Sequence, residues 1–366
     1  MSLKRNTYRI AVLFLAFSIT PDLFSGFAQD QRKPVIADRE KKSDGKEAKV
    51  GATPAGSPVL WEEPADIEQR DLFYGSGGQQ GAPDPSGKFT FLRRSTTGTQ
   101  KKIIVKDDVG REWTVKFGPE AKPETAATRI IWAAGYHVDQ NYFVERVRID
   151  GYETPDVRNV RFERNDDGLR EAGNWSWDSN PFVGTREFEG LKVLVALLKN
   201  WDLKTSNNKI AVRETTSGDP AKHIYYISDL GATFGATGSF LNEVPFLSDL
   251  PPDRIFPLTS KKGKGNPEAY TKEAFIKEVR SGEVVFNHER KRGRRVVKGV
   301  TVENARWMGN LLARLSDKQL SDAFRGAGFT ESETSVYVST MRKRIKELQE
   351  LGDSSGRAAN AARDSN

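Results

Sequence analysis

Asn200-Trp201-Asp202-Leu203-Lys204-Thr205-Ser206-Asn207-Asn208 gathers a carboxylate, an amine and three amides into nine residues. Before it, Phe188, Leu191, Leu194, Val195 and Leu198 recur at helical spacing in a helix that Thr185 opens. After it, residues 209–212 read as a strand, and Tyr226-Ile-Ser-Asp229-Leu230-Gly231 is an apolar strand ending in an acid and a glycine. Taken singly, these pieces have plain readings: Asp202 as part of a helix C-terminal turn, Asn207-Asn208 as a turn pair, Asp229-Leu-Gly231 as a strand end. Their order and separation point further. Phosphoryl transfer asks for a carboxylate beside the acceptor hydroxyl, oxygen ligands for Mg²⁺ and a cation on the nucleotide phosphates. Asp-x-Lys-x-x-Asn in a loop, followed by an Asp at a strand end, supplies such a set.

Upstream residues extend it. Residues 89–93 and 102–106 read as strands, and the turn Asp108-Val-Gly110 joins the second of them to 112–117 as a hairpin. Between the first two lies Ser95-Thr-Thr-Gly98-Thr99-Gln100-Lys-Lys102, whose small residues let backbone N–H groups approach a phosphate. Lys116 sits on the predicted strand Trp113-Thr-Val-Lys-Phe117, where a solvated strand-end lysine is the plainer reading. Pro123 opens a helix over 123–134 that Gly135 closes. Glu124, in its first turn, is placed either to hold Lys116 or simply to complement the helix dipole.

Composition narrows the chemistry. The chain has 366 residues, a net charge of +7, seven Trp and 20 Phe, so a sizeable core is expected. The absence of cysteine excludes disulfides, cysteine nucleophiles and cysteine-ligated metals. Three well-separated histidines, His137, His223 and His288, argue against a histidine metal cage. What remains is Asp, Glu, Asn, Lys and Arg.

The N-terminus has an export pattern: Lys4, Arg5 and Arg9, an apolar run over 10–19, then Gly26-Phe-Ala28 before a cleavage point. Residues 1–28 are therefore expected to be a signal peptide directing the protein to the periplasm or outside the cell, and 29–58 a disordered linker. Residues 142–149 and 157–163 add strands. The remainder reads as helices over 269–279 and 301–315, then two more opened by the capping boxes Ser316-x-x-Gln319 and Thr330-x-x-Glu333. Strands early and helices late give an α+β class, with a sheet-rich lobe over 59–165, a helical lobe over 166–352 and a disordered tail over 353–366.

Asp202-Leu-Lys-Thr-Ser-Asn207 resembles the catalytic loop of protein-kinase-like enzymes, and Asp229-Leu-Gly231 resembles their metal-binding triplet. The resemblance implies a two-lobed kinase-like fold that uses ATP, or another nucleoside triphosphate, with Mg²⁺. By it, Asp202 is the base or hydroxyl-orienting residue, Lys204 steadies the transferring phosphate, and Asn207 and Asp229 hold the metal. Gly98, Thr99 and Gln100 would cradle phosphate, with Lys116 held by Glu124. Over about residues 90–240 the layout is similar to atypical kinases. The Thr-Gly-Thr-Gln-Lys stretch, the strand lysine and the short step to Glu124 resemble HipA-type kinases. Asp229-Leu-Gly-Ala-Thr-Phe-Gly235 resembles the metal-binding region of secreted CotH-like kinases. Three departures stand out: Trp201 precedes the catalytic-type Asp where a basic residue is usual, Glu124 follows Lys116 by only eight positions, and the phosphate loop has one glycine.

Two basic runs are left over. His288-Glu-Arg-Lys-Arg-Gly-Arg-Arg-Val-Val-Lys298 reads as a solvated hairpin tip, or as a surface for acidic substrates or anionic lipid head groups. Lys261-Lys-Gly-Lys264 is a second basic loop. No zinc-finger or RNA-module signature accompanies them, which turns the partner expectation away from nucleic acid. Asn174-Trp-Ser176 matches a glycosylation pattern of surface loops. The resulting expectation is an exported atypical kinase acting on a protein or small-molecule hydroxyl, with an acidic acceptor among the candidates. The alternatives are a non-catalytic kinase-fold binding protein and a nucleotidyl transferase on the same fold.

Overall fold

Alternating apolar residues build the N-terminal part. A short strand β1 (Ser57–Val59) and a helical turn α1 (Gly78–Gly81) lead into β2 (Phe89–Arg94), β3 (Lys102–Asp107) and β4 (Glu112–Lys116). Then come α2 (Ala121–Ala133), β5 (His137–Val138), β6 (Asn141–Asp150) and β7 (Asp156–Arg164). Strands β2-β3-β4-β7-β6 close into a barrel, with β2 and β6 parallel at the seam. Its interior is filled by Phe89, Ile103, Val105, Trp113, Val115, Tyr142, Val160 and Phe162. Each buried Val, Ile or Phe contributes about 1.5–3 kcal/mol.

A second sheet has the order β1-β10-β9-β8, with β5 added on β10; it uses β8 (Arg170–Asn174), β9 (Asn208–Arg213) and β10 (Lys222–Ile227). Helix α3 (Arg186–Leu197) precedes β9, and its N-cap Thr185 accepts from the Phe188 N–H. The C-terminal part comprises α4 (Pro267–Lys272), β11 (Ile276–Arg280), β12 (Glu283–Phe286), α5 (Lys291–Val296), α6 (Val302–Ala313), α7 (Asp317–Arg325) and α8 (Glu331–Gln349). Both expected capping boxes form, at Ser316 with Gln319 and at Thr330 with Glu333. The chain is thus mixed α+β, sheet-rich first and helical later. The computed structural model describes residues 57–95, 101–165, 170–213, 221–235, 265–288 and 291–352. The expected signal peptide, most of the linker, the tail, Lys261-Lys-Gly-Lys264, and Gly98, Thr99 and Gln100 lie outside the described residues.

Helix α2 positions the site because it serves both cores. Its Ala126, Ala127, Ile130 and Ile131 enter the large core that the C-terminal helices share, while its first turn faces β4.

Several expectations change. Helix α2 begins at Ala121, so Pro123 is its third residue; a proline is tolerated there because the first N–H groups have no partner inside the helix. Residues 269–279 are not one helix. They divide into α4 and a β11–β12 hairpin, closed by Ser281 (φ 51°) and Gly282 (φ 79°) between the paired Arg280 and Glu283. A two-residue turn with both φ angles positive matches strand twist, and the β-branched Ile276, Val279, Val284 and Val285 fit the strands better than a helix. Within the 288–298 run, Lys291–Val296 form helix α5 rather than a hairpin tip, and His288 is buried. Asn174 does not stand free as a glycosylation acceptor: its amide donates to the Asn208 carbonyl at 2.9 Å.

Candidate active site

The barrel delivers the first cation. Lys116 ends β4 and pairs in register with Arg161 of β7, so the two side chains leave the same face as cross-strand neighbours. Glu124 of α2 lies between them: Lys116 Nζ donates to its Oε2 at 3.0 Å, and Arg161 bonds its Oε1. Arg161 also bonds Glu163. Lys116 is only 1% exposed, yet three carboxylates surround its ammonium: Glu120 at 2.9 Å, Glu124 at 3.0 Å and Asp229 at 2.6 Å. Two of its hydrogen bonds go to Glu124 and Asp229, and Glu120 adds a third negative charge at ion-pair distance.

Charge balance sets the titration. Burial alone pulls Lys116 down, but Glu124, Asp229 and Glu120 outweigh it and hold its pKa above the usual lysine range. Burial raises Asp229, yet the Lys116 charge and hydrogen bond win and leave its carboxyl below the ordinary value. Behind the cluster, burial pushes Asp139 well up, reinforced by Glu163 and opposed by Arg161.

The triplet 229–231 is fitted against α2. Asp229 has φ 54°, a left-handed conformation that Asp tolerates better than most residues. A Cβ on Gly231 would lie 2.6 Å from Glu120 Cβ, so only glycine allows this approach. Thr233 Oγ1 donates to the Leu230 carbonyl at 3.0 Å and reaches the Pro123 carbonyl at 3.3 Å, joining the turn to the helix. The Asp229 carboxylate nevertheless keeps 42% exposure.

The β9–β10 hairpin brings the other segment alongside. Asn208 pairs with Ile227, and one step on, the Ser228 N–H donates to the Asn207 carbonyl at 2.8 Å. Asn207 and Asp229 therefore emerge at the same open end of one hairpin. Asn207 Nδ2 donates to the Asp202 carbonyl at 2.9 Å, and its Oδ1, which accepts only a long bond from Ser206 Oγ at 3.4 Å, keeps a lone pair as a metal-type oxygen. Asn208 is fully buried and donates to the Trp175 carbonyl. Lys204 Nζ donates to Asp202 Oδ2 at 2.9 Å, with the lysine half exposed.

The loop entering this segment is braced from three sides. Lys199 leaves α3 at φ 54°, Asn200 Oδ1 accepts the Asp202 N–H at 3.1 Å, and the Trp201 N–H donates to the Ala232 carbonyl. His288 Nε2 donates to the Asn200 carbonyl at 2.8 Å, since that oxygen can only accept. Lys199, Asp229 and Phe234 are three non-glycine residues with positive φ in these two adjoining segments. Backbone strain of this kind gathers at functional sites.

Of the expected residues, Lys116, Glu124 and Asp229 touch directly, and Asp202, Lys204 and Asn207 form a second group tied to them through Ser228. Sequence reasoning missed Glu120, Arg161 and His288. Glu120 had a local signal, lying one helical turn before Glu124; Arg161 and His288 arrive through pairing and tertiary contact.

No family model and no curated protein sequence matches the chain. Among solved structures, it is similar to the proinflammatory kinase CtkA of Helicobacter pylori at 11% identity and a TM-score of 0.39, over 72% of this chain and 93% of that one. The Golgi casein kinase is similar at 10% identity and a TM-score of 0.34, over 81% and 79%. The Rio2 kinase of Chaetomium thermophilum, in its ADP/Mg²⁺-phosphoaspartate complex, is similar at 14% identity and a TM-score of 0.28, over 70% and 72%. Likenesses this distant carry no weight for activity or substrate.

Proposed function

We propose that this chain is an atypical kinase that moves the terminal phosphoryl group of a Mg²⁺-bound nucleoside triphosphate, ATP or a relative, onto a hydroxyl of a protein or small molecule. One observation carries the reading. A single buried lysine ammonium bridges a helix carboxylate, Glu124, and the acid of an Asp-Leu-Gly turn, Asp229. That is the arrangement phosphate positioning requires: a cation fixed by one acid and a second acid beside it for the metal.

The residues fit the metal. Among the described residues no group of three His, Asp or Glu side chains is arranged to hold a metal ion. Mg²⁺ does not need one, since it takes one or two protein oxygens and fills its shell with phosphates and water. Asn207 Oδ1 and the Asp229 carboxylate are the oxygens that would hold it, and bound there it would neutralise charge on the phosphates. Asp202 accepts the proton of the acceptor hydroxyl as that oxygen bonds to the terminal phosphorus and the bond to the nucleoside diphosphate breaks. Lys204 balances charge beside Asp202.

A non-catalytic binding protein is the second reading, favoured by one feature: three carboxylates already crowd the Lys116 ammonium, so a phosphate must compete with them for it. Incubation of the full chain with Mg²⁺, a mixed Ser/Thr/Tyr peptide library and ATP labelled at the γ or the α position tests these readings. Transfer of γ label alone supports the kinase, and transfer of α label means nucleotidyl transfer instead. No transfer of either label, with nucleotide still bound, favours the binding protein.

A further inference from the structure

The basic run that the proposed chemistry leaves unused is a built surface. Lys291, Arg292, Arg294, Arg295 and Lys298 are all exposed, and no acid occurs between residues 291 and 300. The opposite side of the segment is anchored: Val296, Val297 and Val300 are buried, and Gly293 lies on the His288 ring so closely that a Cβ would stand 2.0 Å from it. Arg294 donates to the His288 carbonyl at 3.3 Å, and Arg295 meets Asp178 at 3.1 Å with both side chains more than half exposed, so that pair holds Arg295 weakly.

The surface is also tethered to the Asp202 loop. His288, three residues before α5, donates to the Asn200 carbonyl, and Asn200 Oδ1 accepts the N–H of Asp202. Two residues on one side of that link and three on the other span at most about 18 Å fully extended, so with the link itself the start of α5 lies within about 30 Å of Asp202.

We infer that α5 and Lys298 dock an acidic stretch of a polypeptide whose hydroxyl is phosphorylated at Asp202, a substrate class that rests on the kinase reading above. Charge complementarity selects an anion. The surface is one short helix, about 9 Å long, matched to three or four peptide residues. No Phe, Tyr or Trp lies between residues 288 and 300 to stack on bases, and the valines of the segment are buried rather than offered to lipid.

Fluorescence anisotropy with the full chain tests this, using a labelled Glu-Glu-Glu-Ser-Glu-Glu peptide and its Gln counterpart. The acidic peptide binds and the Gln peptide does not, with affinity falling steeply as salt rises. R292E/R295E/K298E weakens binding about tenfold or more. R146E/R148E/R158E, which reverses exposed arginines on the barrel, leaves binding unchanged. R292Q/K298Q, a milder change, weakens binding in the same direction and serves if the triple variant melts early. The inference is overturned if the acidic peptide does not bind, if the barrel variant loses as much as the α5 variant, or if a single-stranded oligonucleotide of equal charge binds tighter through the same residues. Stabilisation by Mg²⁺ and nucleotide, read on the same proteins, separates the two claims: its absence in the wild type defeats the kinase reading, whereas its persistence with unchanged peptide binding in R292E/R295E/K298E defeats only the docking surface.

Discussion

The two halves of the site are built on opposite principles. Around Lys116, charges are buried, paired and arranged between a barrel and a helix, with Glu124 and Arg161 almost fully enclosed. Around Asp202, the groups are partly open: Asp202 is 15% exposed, Lys204 is 51% exposed, and they are held mainly by backbone hydrogen bonds. Glu124 is the member both enclosed cations share, so losing it unbalances Lys116 and Arg161 together, and this group should govern folding as much as chemistry. The second can be altered with little structural cost, so it should govern chemistry alone.

Glu124→Ala is expected to give the largest effect. It removes the enclosed acid that Lys116 and Arg161 share, and losing one partner of a buried pair costs about 3–5 kcal/mol. A denaturant melt reads this directly; a change below about 1 kcal/mol would mean that the enclosed charges do not depend on one another. Asp202→Asn should instead reduce phosphoryl transfer about 10²–10⁴-fold while stability stays within about 0.5 kcal/mol. If the melt shifted as much as for Glu124→Ala, the contrast between the two halves would fail.

A pH titration gives a smaller effect. Asp229 is held below its ordinary value of 3.8, chiefly by Lys116 against the effect of burial. The stability it lends is therefore complete above the unfolded value and is lost as pH falls through the depressed one. Lys116 is raised, so its share persists below the usual lysine value and disappears only on the alkaline side. The Tm gap between wild type and Asp229→Asn should be flat between about pH 5 and 8 and narrow below about pH 4. Smallest of all, Ser316→Ala removes a cap far from either half and should cost about 1 kcal/mol with transfer unchanged.

The same contrast explains what could be read in the chain. The order of residues along the sequence was enough to single out Lys116, Glu124 and Asp229, which meet at one ammonium, and Asp202, Lys204 and Asn207, which share a second set of contacts. Capped helices were legible for a related reason, since Thr185, Ser316 and Thr330 act within three residues of themselves. Arg161 was not, because only the β4–β7 register sets it opposite Lys116. His288 reaches Asn200 across 88 residues, and nothing local to a basic run marks its histidine as the buried one. Glu120 was passed over because Pro123 looked like the first helical residue, although the helix begins two residues earlier. The helix expected over 269–279 overlooked a hairpin whose Ser281-Gly282 turn was the better signal.

The central claim is that Lys116, Asn207 and Asp229 form a Mg²⁺–nucleotide site, and a thermal-shift titration tests it most directly. Wild type should be stabilised by ATP only when Mg²⁺ is present, with a shift that grows with ligand concentration and reaches about 2.7 kcal/mol at a hundredfold excess over Kd. Asp229→Ala should fold and show no Mg²⁺-dependent shift. A wild type that no nucleoside triphosphate stabilises, or an Asp229→Ala protein that responds just as well, would contradict the account.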